Sequence, residues 1–206
     1  MVDSMAENLK QHVLLTGRPG IGKTSVLLRA TDILKSKGYD IGGMISREAR
    51  SCGARVGFEI VDFRTERRGW LAHTNQPTGP GIGRYRVNLS DLNTIGVSSI
   101  LEAAKNADIV VVDEIGPMEL LSSDFKEAVS NALNSSKMLI GTIHYAARDP
   151  LISTIKARED VQILEVTREN RTSLHTVLVG RVLQFIEREF KKSANYRSGL
   201  HENSGS

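Results

Sequence analysis

The chain has 206 residues, 40% of them apolar and 25% charged, with a net charge of +3; this composition fits one globular domain with room for a buried core and excludes disordered, collagen-like and repeat chains. No apolar run approaches the roughly 18 residues of a membrane span, and the amino terminus lacks a charged region followed by an apolar signal segment, which reads as a cytoplasmic protein. The single Cys52 has no internal disulfide partner, the five histidines are too scattered for ligand spacing, and the net charge is too small to argue for nucleic acid by itself.

In chain order, His12 to Thr16 is a short apolar run ending at Gly17, and Thr24 to Lys37 has helical composition with Val26, Leu27, Ala30, Ile33 and Leu34 on one face. Gly38 closes that helix. Short strands follow at Ile41 to Arg47, Arg55 to Phe63 and Gly69 to His73, then a Gly, Pro, Thr and Asn-rich loop from Asn75 to Gly83, then a strand at Tyr85 to Leu89. From Ser90 the rhythm changes to alternating helix and strand: a helix to about Asn106, a strand Ile109 to Val112, a helix Asp124 to Leu133, strands Met138 to Ile143 and Val161 to Val166, and a last helix Glu169 to Phe190. Runs such as Ile109 to Val112 suit central parallel strands buried on both faces. The expectation is an α/β fold, a mostly parallel sheet covered by helices on both faces, in a single domain over 1–192. A strand-rich insertion would occupy about 39–90 and a disordered tail 193–206.

The strongest chemical signal is Gly17-Arg18-Pro19-Gly20-Ile21-Gly22-Lys23-Thr24, a full match to the phosphate-binding loop G-x-x-x-x-G-K-[ST], for which this composition gives roughly 0.01 chance matches per chain. Its glycines let successive backbone N–H groups turn inward around a phosphate, and the following helix points its positive end at the same anion. Lys23 would reach the β and γ oxygens, and the Thr24 hydroxyl would help coordinate Mg²⁺. Second is the strand and turn Ile109-Val110-Val111-Val112-Asp113-Glu114-Ile115-Gly116, where a buried strand ends in two acids at the edge where ligands bind in such sheets. Asp113 would hold the shell of the Mg²⁺ that accompanies the nucleotide, and Glu114 would polarise an attacking water, a contribution of about 10² to 10⁴ in rate. Third, Gly141-Thr142-Ile143-His144 ends another buried strand; Thr142 would sense the γ-phosphate or orient water, and His144 is either structural or a phosphate contact.

The stretch from Tyr39 to Ser90 carries eight arginines and no lysine against five acids. One of these arginines, Arg84 being best placed by its Gly-rich loop, would supply transition-state charge, or together they form a solvated basic face. Arg168 and Arg171 open the last helix, as nucleotide contacts or caps.

Taken together these motifs resemble the thermophile-type nucleoside triphosphatase family, which includes the human cancer-related nucleoside triphosphatase. The resemblance rests on Leu14 through Thr24, on Val112-Asp113-Glu114-Ile115-Gly116-Pro117-Met118-Glu119-Leu120 and on Thr167-Arg168-Glu169-Asn170-Arg171, and it spans nearly the whole chain. It implies a RecA-like fold with an additional strand between the phosphate-loop strand and the Asp113 strand. It also implies slow hydrolysis of ATP, GTP, CTP and UTP to diphosphate and phosphate with little base selectivity, and nucleotide binding by Gly17 to Thr24 and Ile109 to Gly116. Pro117 and Arg84 depart from the human member, which has Lys and Gln there. The competing readings are a P-loop nucleotide or small-molecule kinase, and a nucleotide-dependent switch with an RNA or protein partner, for which the sequence support is weak.

Overall fold

A computed structural model describes residues 10–202, with side chains placed over 10–191. Its centre is a nine-stranded sheet in the order β5-β6-β4-β3-β2-β7-β8-β1-β9. Five strands run parallel: β1 (His12–Thr16), the first part of β2 (Ile41–Ser51), β7 (Ile109–Ile115), β8 (Met138–Ile143) and β9 (Val161–Glu165). β8 lies between β1 and β7, so the additional strand implied by the resemblance is present. The remaining strands, β3 (Ala54–Asp62), β4 (Arg68–His73), β5 (Gly81–Ile82) and β6 (Tyr85–Val87), pair antiparallel and continue the sheet outward from β2.

The parallel strands read as continuous apolar runs because both of their faces are covered. Val13 and Leu15 of β1 and Ile109 and Val111 of β7 point into one core with Val26, Leu27, Ala30 and Leu34 of α1 (Lys23–Ser36) and Leu178 and Val182 of α6 (Leu174–Glu202). Leu14, Val110 and Val112 point the other way, against Ile100 and Ala103 of α3 (Ser98–Asn106), Phe125 and Val129 of α4 (Ser123–Asn134) and Ile155 of α5 (Pro150–Ala157). A short turn of helix, α2 (Leu89–Asp91), and a π-helical segment (Leu92–Val97) lead into α3, where a single regular helix from Ser90 is expected. The π segment lies where Gly96 packs on Met44 and Ile60; a Cβ there would stand 2.5 Å from Ile60 Cδ1.

Four further features depart from the sequence reading. The insertion expected from about 39 begins later within the single domain, because Ile41 to Ile45 pair with Ile109 to Asp113 in the parallel core before the same strand turns into the first hairpin. Helix α5 is unanticipated, although Asp149 caps it by accepting from Leu151 N at 2.9 Å and Pro150 opens it. The last helix starts at Leu174, and Glu169 to Ser173 belong to a turn. That helix also continues past Phe190 to Glu202, across most of the stretch expected to be disordered; residues 203–206 lie outside the described residues. Among the described residues no helix is long and apolar enough to cross a membrane.

Candidate active site

All five parallel strands point the same way, so their carboxyl ends deliver Gly17, Asp113, Thr142 and Val166 to one edge. There the chain leaves β1 through Gly17, Gly20 and Gly22, whose φ angles of 143°, 74° and 111° are closed to residues with a Cβ. Gly17 has a second reason to be glycine, since a Cβ would lie 2.7 Å from the carbonyl oxygen of Val166. Around Gly20 and Gly22 the equivalent space is open. Gly22 caps α1 without any side-chain hydrogen bond, and no acid sits in its first turn. The leading N–H groups of α1 are therefore left for an anion.

Lys23 turns back across the loop, donating to Gly17 O at 3.4 Å and standing 3.3 Å from Glu114 Oε1. The contact is an ion pair without hydrogen-bond geometry, since that oxygen has no hydrogen-bond partner. Asp113, one residue earlier and joined to Glu114 by a cis peptide bond, is buried. Its Oδ1 accepts from Thr142 Oγ1 at 2.5 Å, and its Oδ2 is buried with no hydrogen-bond partner. Burial pushes this carboxyl up to about 6, against the hydroxyls of Thr142 and Thr24, with the charge of Glu114 adding to the rise and Lys23 opposing it.

A third acid converges on the same corner. Glu119, in the short helical turn Glu119–Leu121 after β7, is buried, and a Cβ on Gly116 would meet Glu119 Oε2 at 3.2 Å and Glu114 Oε2 at 3.5 Å. Desolvation raises it to about 8; its own amide and that of Gly116 pull the other way, and the charges of Glu114 and Asp113 push further. Sequence reasoning had this residue within a motif but attached no chemistry to it; the one available signal was an acid among Met118, Leu120 and Leu121.

A cavity of about 520 Å³ opens in front of these groups. Pro19, Gly20, Lys23, Thr24, Glu114 and His144 form one side, and Ser46, Arg47, Glu48, Arg55 and Phe58 of β2 and β3 form the other. The structure thus brings Lys23, Thr24, Asp113, Glu114, Thr142 and His144 together. Arg18 and Ile21 lie at the outer bend of the loop, where Ile21 N donates to Arg18 O at 3.2 Å. Ile109, Val110, Val111, Val112 and Ile115 are wholly buried and act by holding the acids at the strand tip. Arg84 does not line the cavity; it donates to Tyr85 OH at 3.0 Å and to the carbonyl of Arg55. Arg47 and Arg55, which the sequence reading ranks below Arg84 among the eight arginines, do.

The turn 167–173 packs beside the loop. Val166 N donates to Thr16 O at 2.8 Å, Asn170 Oδ1 accepts from Thr167 N at 2.8 Å, and Asn170 Nδ2 donates to Glu165 O at 2.8 Å. Arg168 and Arg171 stand exposed on it.

The profile of a family described as NTPase matches residues 12–179, a span that includes the phosphate loop, both acids, the insertion and the Thr167 to Arg171 turn. The chain belongs to this NTPase family. It is 41% identical over 179 residues to the nucleoside-triphosphatase THEP1 of Thermofilum pendens, covering 86% of this chain and 98% of the relative. It is 40% identical over 180 residues to the protein of the same name from Methanopyrus kandleri, covering 87% and 99%. Among solved structures it is similar to a human cancer-related nucleoside triphosphatase, with TM-score 0.70 and 35% identity over 84% of this chain and 97% of that one. THEP1 from Aquifex aeolicus shares the fold, with TM-score 0.72 at 24% identity over 83% and 98%. As a member of the NTPase family the chain carries a P-loop α/β fold of the RecA-like strand order.

Proposed function

We propose that this protein hydrolyses nucleoside triphosphates to diphosphate and phosphate as a single P-loop domain, with broad tolerance of the base. The observation that carries this reading is the pair of Lys23 and Glu114 lining an open anion cradle, with the buried Asp113 next to Glu114 in the chain. The loop from Gly17 to Thr24 binds the β-phosphate through backbone N–H groups, and Lys23 moves from Glu114 to the β and γ oxygens when they arrive. Glu114, released from that pair, takes the proton of a water placed against the γ-phosphorus. The new P–O bond forms as the bond to the β–γ bridging oxygen breaks, and the electron pair leaves with the diphosphate.

The residues fit Mg²⁺ bound with the nucleotide: the buried Asp113 Oδ2 lacks a partner, Thr24 lies beside it, and the adjacent carboxylate of Glu114 faces the Lys23 ammonium. When bound there, held by Thr24 and the Asp113 shell, the ion neutralises charge on the β- and γ-phosphates. Base tolerance is supported by recognition concentrated on phosphate and by the exposed, long side chains of Arg168 and Arg171 beside the loop. The exposed free thiol of Cys52 fits a reducing, cytoplasmic setting.

The test is phosphate release from ATP, GTP, CTP and UTP with and without Mg²⁺. Wild type is expected to turn over all four, with Mg²⁺ required. Glu114→Gln should bind nucleotide at least as well, because Lys23 is freed, while turnover falls by at least about 10²-fold; Lys23→Ala should lose binding. Release untouched by Glu114→Gln, or a need for an acceptor alcohol, would overturn the reading.

A further inference from the structure

The cavity wall opposite the phosphate loop comes from the hairpin of β2 and β3, and it is built around one guanidinium. Cys52 and Gly53, at φ 48° and 78°, make the two-residue turn, and its register sets Arg50 directly across from Arg55. Two like charges opposite one another destabilise a hairpin. Glu48 bridges them: Oε1 accepts from Arg50 Nε at 2.6 Å and pairs with its Nη2 at 2.6 Å, and Oε2 accepts from Arg55 Nη1 at 2.8 Å. The hydrogen bonds from Arg55 and Arg50 hold the Glu48 carboxyl below its usual range, so it stays ionised. One carboxylate against Arg50, Arg55 and Arg84 leaves an excess of two positive charges beside a cavity whose other wall holds Lys23.

Arg55, half-exposed on this wall, is held at two of its nitrogens and over a ring. Its Nε donates to Tyr85 OH at 3.0 Å, Glu48 takes Nη1, and the guanidinium lies over the Phe58 ring with its carbon 5.3 Å from the centroid. Tyr85 is steadied in turn by Arg84, which donates to the same hydroxyl, and by an edge-on contact with Phe58 at 5.5 Å. The second terminal nitrogen of Arg55 has no hydrogen-bond partner among the described residues. Arg47, on the same wall, is exposed and has no side-chain partner among the described residues. A donor locked by its neighbours and left with one end unspent is the arrangement that stabilises developing charge without reorganising at the moment of reaction.

We propose that Arg55 supplies positive charge to the γ-phosphoryl group in the transition state, with Glu48 and Tyr85 as the positioning residues that aim it. The proposal rests on the hydrolase reading above. It moves the task from Arg84, favoured by its place after the Gly-rich loop, to the residue that Arg84 helps to hold. Water still supplies the nucleophile and Glu114 still takes the proton; Arg55 accepts no proton and forms no bond.

The experiment measures phosphate release, nucleotide affinity and trapping of ADP with aluminium fluoride, a mimic of the transferring phosphoryl group, on wild type and variants. Arg55→Ala is expected to lower kcat by at least about 10²-fold, to change ADP affinity by less than about threefold, and to abolish trapping. Added guanidinium ion should restore at least about a tenth of the lost rate. Arg55→Lys keeps the charge but not the planar fork and should fall between the two. Tyr85→Phe should lower kcat by about three- to tenfold with affinity unchanged, and it carries the test should Arg55→Ala fold poorly. Arg68→Ala, in the insertion but away from this wall, should behave as wild type. An Arg55→Ala protein that traps aluminium fluoride or turns over at the wild-type rate overturns the proposal, as does loss of trapping in Arg47→Ala but not in Arg55→Ala. A wild type that releases no phosphate, or a fully active Glu114→Gln, overturns the hydrolase reading first.

Discussion

Glu119 shows how one side chain converts burial into a dependence on pH. Its ordinary value is 4.5 and in the fold it is pushed up to about 8, chiefly because water is excluded. Between those values the folded chain holds a proton that the unfolded chain has released. The stability tied to that proton is complete below about pH 4.5 and is lost as pH rises through 8. Glu119→Gln keeps the shape and removes the titration, so the wild-type melting temperature should fall relative to the variant's from pH 5 to 8.5. His12 works in the opposite sense: burial lowers it to about 4, so its contribution is lost as pH falls from about 6.5 through that value. His12 is common to both proteins, and its contribution drops out of the difference. Parallel melting profiles would show that Glu119 is ionised in the fold. A neutral acid here also limits the negative charge at the end of β7 to Asp113 and Glu114.

At the scale of elements, the turn 167–173 illustrates what was legible and what was not. The central strands could be read from the sequence because a strand covered on both faces must be apolar throughout, as Ile109 to Val112 is. The phosphate loop was legible because its glycines answer to backbone angles that other residues avoid. The end of β9 was not: Thr167 to Arg171 has the polarity of a helix start, yet Asn170 uses both ends of its amide to tie Thr167 N and Glu165 O into a turn. Side-chain bonds of that kind compete with a helix and leave no periodic trace. Arg55 could not be singled out from the eight arginines of its stretch for a related reason, since only the pairing of β3 with β2 puts it beside Glu48. The turn has a consequence for the loop, because Val166 O abuts Gly17. Asn170→Ala should cost about 1–3 kcal/mol in urea unfolding and weaken nucleotide affinity, whereas Asn170→Asp, which keeps the bond to Thr167 N, should lose less. Unchanged affinity in both would mean that the turn does not support the cradle.

The whole molecule poses the question of whether the outer strands and the nucleotide-binding sheet unfold as one. Their connectivity argues that they do. β2 begins in the parallel core beside Asp113 and ends in the hairpin that carries Glu48 and Arg50, so no linker separates the two regions. Ile60 of β3 and Leu71 of β4 are wholly or almost wholly buried in the same core as Leu14, Val110 and Phe125. The hairpin therefore cannot detach without exposing that core. The only tryptophan in the chain, Trp70, sits on β4 and reports on the outer strands alone, while far-UV circular dichroism reports on the helices that flank the inner ones. Thermal unfolding followed by Trp70 fluorescence and by circular dichroism should give coincident midpoints. Ile60→Ala removes a fully buried side chain and should cost about 2–5 kcal/mol, lowering both midpoints together by about 2–4 °C for each kcal/mol. If fluorescence moves first and alone, the outer strands are a separable unit, and the wall that presents Arg55 can open independently of the loop it faces. Coincidence means that the catalytic edge and its opposite wall are held at a fixed separation by one cooperative core, which is the condition that an arginine supplied from within the chain requires.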